Sequence, residues 1–148
     1  MGQDNVFEAD VGTWDAEVIV RPVPGAPEQR SHGLAVQKLV GGKWLVTDFK
    51  NETSGFEGHG IYGWDATRKR YVGTWVDPMR SFLSVMEGDW DEGARTMTFH
   101  AEAQTPDGKK LSWREVTERV DDKTRLYRQF WAFPGGEHEM MTVTYRRR

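Results

Sequence analysis

The chain has 148 residues with 23 acidic and 20 basic side chains, a formal net charge of −3; this is the size of one domain, and no shift of composition divides residues 1–148. Charges of both signs are interspersed, which excludes an electrostatic footprint for nucleic acid, and Arg146, Arg147 and Arg148 read as a solvated tail. The absence of cysteine excludes a disulfide framework, a thiolate nucleophile and a cysteine metal site, while no apolar run reaches the ~20 residues of a membrane span and Met1–Asp10 lacks the pattern of a signal segment. A cytoplasmic protein with neither a membrane nor a nucleic-acid partner is expected.

A turn of helix is admitted near Asn5 to Val11, before the first alternating run. From Gly12 to Val20, Trp14, Ala16, Val18 and Val20 share one face and Asp15 and Glu17 the other, the period of a half-buried strand. Pro22, Pro24, Gly25 and Pro27 then forbid pairing and make a long loop, a candidate lid over an open barrel end. Residues His32 to Val40 and Lys43 to Lys50 flank Gly41-Gly42, a tight hairpin turn. Asn51 to Glu57 is a polar connection into the hairpin from Gly58 to Asp77, whose strands Gly60 to Trp64 and Arg70 to Val76 are joined by Asp65 to Lys69.

Asp77-Pro78 ends that pairing, and Ser81 to Trp90 resumes it up to the turn at Asp91-Glu92-Gly93. Arg95 to Ala103, Leu111 to Val120, Arg125 to Phe133 and Glu139 to Arg146 complete a set of about ten strands at the spacing of ~8 to 12 residues found in all-β sandwiches and barrels. Short turns between sequential strands favour an up-and-down antiparallel meander, and closure removes the exposed edges of so wide a sheet. Seven Trp, seven Phe and four Tyr supply its core, since each such ring buries about 150–250 Å².

Gly12-x-Trp14 on the first strand with arginines on the last resembles the lipocalin or calycin pattern. That resemblance implies a guanidinium, Arg146 or Arg147, lying over Trp14 at the closed end of the barrel. The order VGTWDAEV, LVGGKWLVTDF, GHGIYGWDATRKRYVGTWVDPM, MEGDWDEGARTMTF, WREVTERVDDKTRLYRQF and GGEHEMMTVTYRRR is similar, from Val11 to Arg147, to an uncharacterised bacterial family of short lipocalin-like proteins. What this implies is a calycin-like β-barrel with no established activity.

Polar residues within apolar strands, Asp48, Asp77, Glu87, Arg114, Glu115, Arg128 and Gln129, are either solvated cross-strand pairs or charges paired inside. If Leu126 and Phe130 face inward, so does Arg128; if Tyr127 and Trp131 do, Gln129 replaces it. Asp77 beside Trp75 is either a rim carboxylate that orients a ligand or a turn former bonded to its own backbone. The cavity-wall candidates are Trp14, Trp44, Tyr62, Trp75, Asp77, Glu87, Trp113, Glu115, Arg128 and Met141.

His32, His59, His100 and His138 have no paired spacing, so no metal site is expected, and His138 is a poor axial haem ligand because Ala16 and Val18 stand where haem barrels carry glycines. No nucleophile elbow, dinucleotide fingerprint or phosphate loop occurs, and no cofactor is implied. Three readings follow. The first is a barrel that binds a small apolar or aromatic molecule. The second is a cofactor-free cyclase, isomerase or hydrolase with an inward carboxylate as acid or base. The third is a structural or interaction protein with a filled barrel, and the Tyr, Trp and Met content admits a homodimer.

Overall fold

The computed structural model describes residues 3–148. A 3-10 helix, Gln3–Asp10, precedes ten strands: β1 (Gly12–Val20), β2 (Gln29–Val40), β3 (Trp44–Asn51), β4 (Glu57–Asp65), β5 (Arg70–Val76), β6 (Ser84–Asp91), β7 (Thr96–Gln104), β8 (Lys110–Asp121), β9 (Thr124–Phe133) and β10 (Gly136–Arg147). Each strand pairs antiparallel with the next, and β1 pairs with β10 to close the barrel. The fold is an all-β up-and-down barrel, consistent with a lipocalin-like architecture.

Cross-strand partners share a face, so the register fixes what points inward. One inward belt runs through the partners Leu45, Tyr62, Gly73, Met86, Ala101, Trp113 and Trp131. A second runs through Tyr71, Gly88, Phe99, Glu115, Gln129, Met141 and Val20. Aromatic rings press on the wall where it carries glycine: a Cβ at Gly58 would come 2.1 Å from Trp75 Cζ2, and one at Gly73 2.5 Å from Tyr62 Cδ1. The β2–β3 turn has positive φ at Gly41 and Gly42, 60° and 70°, and Lys43 N donates to Val40 O.

The alternation along the strands fixes two different ends. At the lower end, where β1 begins and β10 finishes, the 3-10 helix inserts Phe7, whose ring meets Tyr71 edge-on at 5.8 Å and Tyr62 at 6.4 Å. Its burial contributes about 1.5–3 kcal/mol. The upper end carries the loops at residues 21–28, 52–56, 77–83, 105–109 and 134–135.

Strand β6 begins at Ser84, three residues later than the alternation of Ser81 to Trp90 suggests. The reason is the turn at Asp77, where Oδ1 accepts from Met79 N at 2.8 Å, with Pro78 at the next position, so the chain folds back before it re-enters the sheet. The lid expected at residues 21–28 is tied to the rim: Arg21 N donates to Met140 O and Arg21 pairs with Glu28 at 3.0 Å. The loop whose side chains reach the interior rings is 77–83.

Candidate functional site

The upper half of the barrel holds a polar cluster on an aromatic wall. Strand β8 places Trp113 and Glu115 inward, and β9 places Tyr127, Gln129 and Trp131 inward. Trp113 and Trp131 are cross-strand partners, stacked with centroids 4.5 Å apart and planes 13° apart. Such a pair contributes about 0.5–1.5 kcal/mol beyond its area.

Hydrogen bonds connect the cluster in one direction. Trp131 Nε1 donates to Gln129 Oε1 at 2.6 Å, and Gln129 Nε2 donates to the Tyr127 hydroxyl at 2.7 Å. Tyr127 in turn hydrogen-bonds Glu115, whose Oε2 also accepts from Trp113 Nε1 at 2.9 Å. Glu115 is thus a buried carboxyl held by two donors. Burial raises its pKa, and the bonds from Trp113 and Tyr127 and the Arg80 charge offset that only in part. Burial also pushes the Tyr62, Tyr127 and Tyr145 phenols up, and the Glu115 carboxylate adds to each shift.

Arg80 lies over this cluster from the 77–83 loop. Its guanidinium carbon is 4.9 Å from the Trp113 ring centroid and 5.3 Å from that of Trp131, and its Nη1 donates to the fully buried Ser84 Oγ at 3.1 Å. Phe82, on the same loop, tilts against Trp113 at 6.5 Å. Asp77 positions the loop: besides its turn bond, its Oδ2 accepts from Trp75 Nε1 at 2.8 Å.

Of the residues singled out in the sequence, Tyr62, Trp75, Trp113, Glu115 and Met141 face the interior, and Trp14 does so at the closed end. Three do not. Glu87 shares the outer face with Val72 and His100 and pairs with Arg68 at 3.6 Å and Arg70 at 3.9 Å, because strand parity sets Met86 and Gly88 inward. Arg128 is exposed on the outer face beside Val116 and Thr142, and Gln129 takes the inward position. Trp44 lies outside against Gly63, one residue out of phase with inward Leu45.

Arg114 is also outside, in a two-bond pair with Glu137 at 2.7 and 2.9 Å. Asp48 bonds His59 on the outer face at 2.5 Å. Asp77 lies at the rim, where it also borders an open groove of about 380 Å³ lined by Gly55, Glu57, His59, Val76 and Pro78. His138 Nε2 donates to Arg21 O at 2.7 Å and its ring packs edge-on to Phe133, so its nitrogen is engaged at the rim. Among the described residues no group of three or more His, Cys, Asp or Glu side chains could hold a metal ion.

The closed end shows the geometry that the lipocalin resemblance implies. Arg147 stands 4.2 Å over the Trp14 ring, while Arg146 is exposed. Arg125, which no sequence signal marks, stands 4.9 Å from the same ring. A family model described as "Protein of unknown function (DUF1579)" matches residues 3–147. The chain belongs to that family. Its barrel is similar to the crystal structure of Rv2717c from M. tuberculosis, with a TM-score of 0.70, 12% sequence identity and 97% of each chain covered, a likeness of fold alone. No curated protein matches the chain. No helix among the described residues is long and apolar enough to cross a membrane. The family description leaves the function undetermined.

Proposed function

We propose that the protein binds a small, mostly apolar or aromatic molecule in the upper half of the barrel. The observation that carries this reading is the state of the inward tyrosines. Tyr62, Tyr127 and Tyr145 are desolvated enough that burial raises their phenol pKa values, yet each keeps accessible surface. These side chains point inward by strand register, so their remaining surface is open to a ligand that enters the barrel. Trp75, Trp131 and Met141 are likewise inward and only half-buried. A flat ligand would lie among these rings, with Glu115, Tyr127 and Gln129 as the few convergent polar groups of a ligand site.

The test is native mass spectrometry of the purified protein, joined to titration with a neutral naphthalene ester read by quenching of tryptophan fluorescence. The expected result is a bound small molecule or saturable quenching at one site, lost in Met141→Trp, which fills the interior. No co-purifying molecule and no saturable binding would sink the reading.

Glu115 favours a second reading, acid–base chemistry without a cofactor, because a buried carboxyl with a raised pKa is the group such chemistry requires. A ligand recovered chemically unchanged after prolonged incubation with the protein opposes it; turnover that Glu115→Gln abolishes while binding persists supports it.

A further inference from the structure

Arg80 is a cation in an aromatic setting with no carboxylate at ion-pair distance. Its guanidinium carbon lies 4.9 and 5.3 Å from the stacked rings of Trp113 and Trp131, and it is partly buried. Its hydrogen bond goes to a neutral hydroxyl, Ser84 Oγ. Among the described residues no carboxylate lies within 4.0 Å of it. The closed end treats the same side chain differently: Arg125 bonds Asp10 at 2.8 Å, Arg119 bonds it at 3.3 Å, and Arg147 donates to the carbonyls of Ala9, Val11 and Asp122.

A guanidinium carries five donors in a planar fork that fits a carboxylate with two parallel bonds. At Arg80 one donor is used on Ser84 and one face rests on the tryptophans, so the rest of the fork is available at the mouth. The loop is built to hold it there, because Asp77 bonds both Trp75 Nε1 and Met79 N at 2.8 Å. Deeper in the barrel, Glu115 is the charged group that faces Arg80 from β8. It is satisfied by Trp113 and Tyr127 and lies beyond ion-pair distance of Arg80.

We infer that the ligand is a small organic carboxylate with a planar aromatic body, its anionic end held by Arg80 at the mouth and its body lying among the inward aromatic rings. This rests on the binding reading given above and names the ligand class of that same site. The head group sits in the most polar, water-accessible part of the site, which spares it the desolvation that a deeper anion would suffer.

The experiment compares 2-naphthoic acid with its methyl ester, which share one aromatic body and differ in charge, by calorimetry and tryptophan quenching near neutral pH. In the wild-type protein the acid should bind about tenfold more tightly than the ester, the size expected of one charge-assisted bidentate contact. Arg80→Gln should bring the acid to the level of the ester and leave ester binding unchanged, and Arg80→Lys should retain part of the preference. Equal binding of acid and ester by the wild type, a measurement that needs no variant, would overturn the assignment of a carboxylate while leaving the binding reading intact. So would an equal loss of both ligands in Arg80→Gln, which would make Arg80 a prop for the tryptophan pair. Binding of neither ligand would overturn both.

Discussion

At the closed end Arg125 and Arg147 stand 4.9 and 4.2 Å from the Trp14 ring; at the mouth Arg80 stands 4.9 and 5.3 Å from Trp113 and Trp131. The pairing of guanidinium and indole is the same, and the surroundings differ. Below, the guanidinium groups around Trp14 are matched: Asp10 bridges Arg119 and Arg125, backbone carbonyls take Arg147, and Trp14 Nε1 donates to Asp10 O at 2.9 Å. Above, the guanidinium has a hydroxyl and two rings. A cation matched by carboxylate and carbonyls closes a structure; one at the mouth with most of its donors unengaged suits an incoming anion.

The strongest way to break this contrast is to disturb each end in turn. Asp10→Ala strands two largely buried arginines and unties the 3-10 helix, and should cost about 3 kcal/mol, the low end for breaking a buried pair because some water reaches it. Arg80→Gln removes no ion pair and should cost less than about 1 kcal/mol, the worth of a cation-π contact at an accessible site. Urea unfolding followed by tryptophan fluorescence measures both. Comparable losses at the two ends would erase the distinction between a structural end and a binding end.

A second test sharpens the account of the interior through pH. Burial holds the Glu115 carboxyl above its usual range, so over the interval between its unfolded and native pKa values the native state keeps a proton that the unfolded chain has released. Stability contributed by this group is therefore fully present below the unfolded carboxylate pKa and declines as pH rises through the native one. Glu115→Gln should flatten that decline and stabilise the protein at neutral pH relative to wild type, seen as a shift of the urea midpoint at pH 7 but not at pH 4. An unchanged pH profile would mean that Glu115 is ionised and solvated.

Arg147→Gln tests the lower plug with a smaller effect. It removes the cation over Trp14 and its bonds to the carbonyls of Ala9 and Val11, with an expected loss of about 1–2 kcal/mol, since cation-π contacts of this kind run from about 0.5 to 2. Arg146→Gln, one residue away and exposed, should be neutral. Thermal unfolding of the two variants separates the arginine that covers Trp14 from the one that does not.

The alternation of Trp14, Ala16 and Val18 against Asp15 and Glu17, and the turns between runs, carried the barrel, because a period of two in chains of hairpins has few other solutions. Parity was legible only where one face was wholly apolar. On β9 the two faces read Tyr127, Gln129, Trp131 and Leu126, Arg128, Phe130, each a mixture, and only pairing with β8 and β10 resolves them. Trp44 misled for the opposite reason: a large ring beside a glycine turn looks internal, yet Gly63 on the neighbouring strand provides an outer seat for it. Arg80 and Arg125 had no local signal at all. The first sits in a loop without periodicity, and the second acts through Asp10, 115 residues away along the chain.

The smallest expected effect tests the outer wall. Glu87 and Arg128 are cavity-wall candidates in the sequence, but they stand on the outer face, Glu87 beside Arg68 and Arg70 and Arg128 exposed. Exposed pairs of this sort are screened and held by mobile side chains, so Glu87→Gln and Arg128→Gln should each change stability by less than about 0.5 kcal/mol. Neither should alter the affinity for a naphthalene ligand. Gln129→Leu, one residue from Arg128, takes the partner from Trp131 Nε1 and Tyr127 at the same time and should change both stability and affinity. A loss of affinity in Arg128→Gln with none in Gln129→Leu would reverse the parity of β9 and move the whole polar cluster to the outside of the barrel.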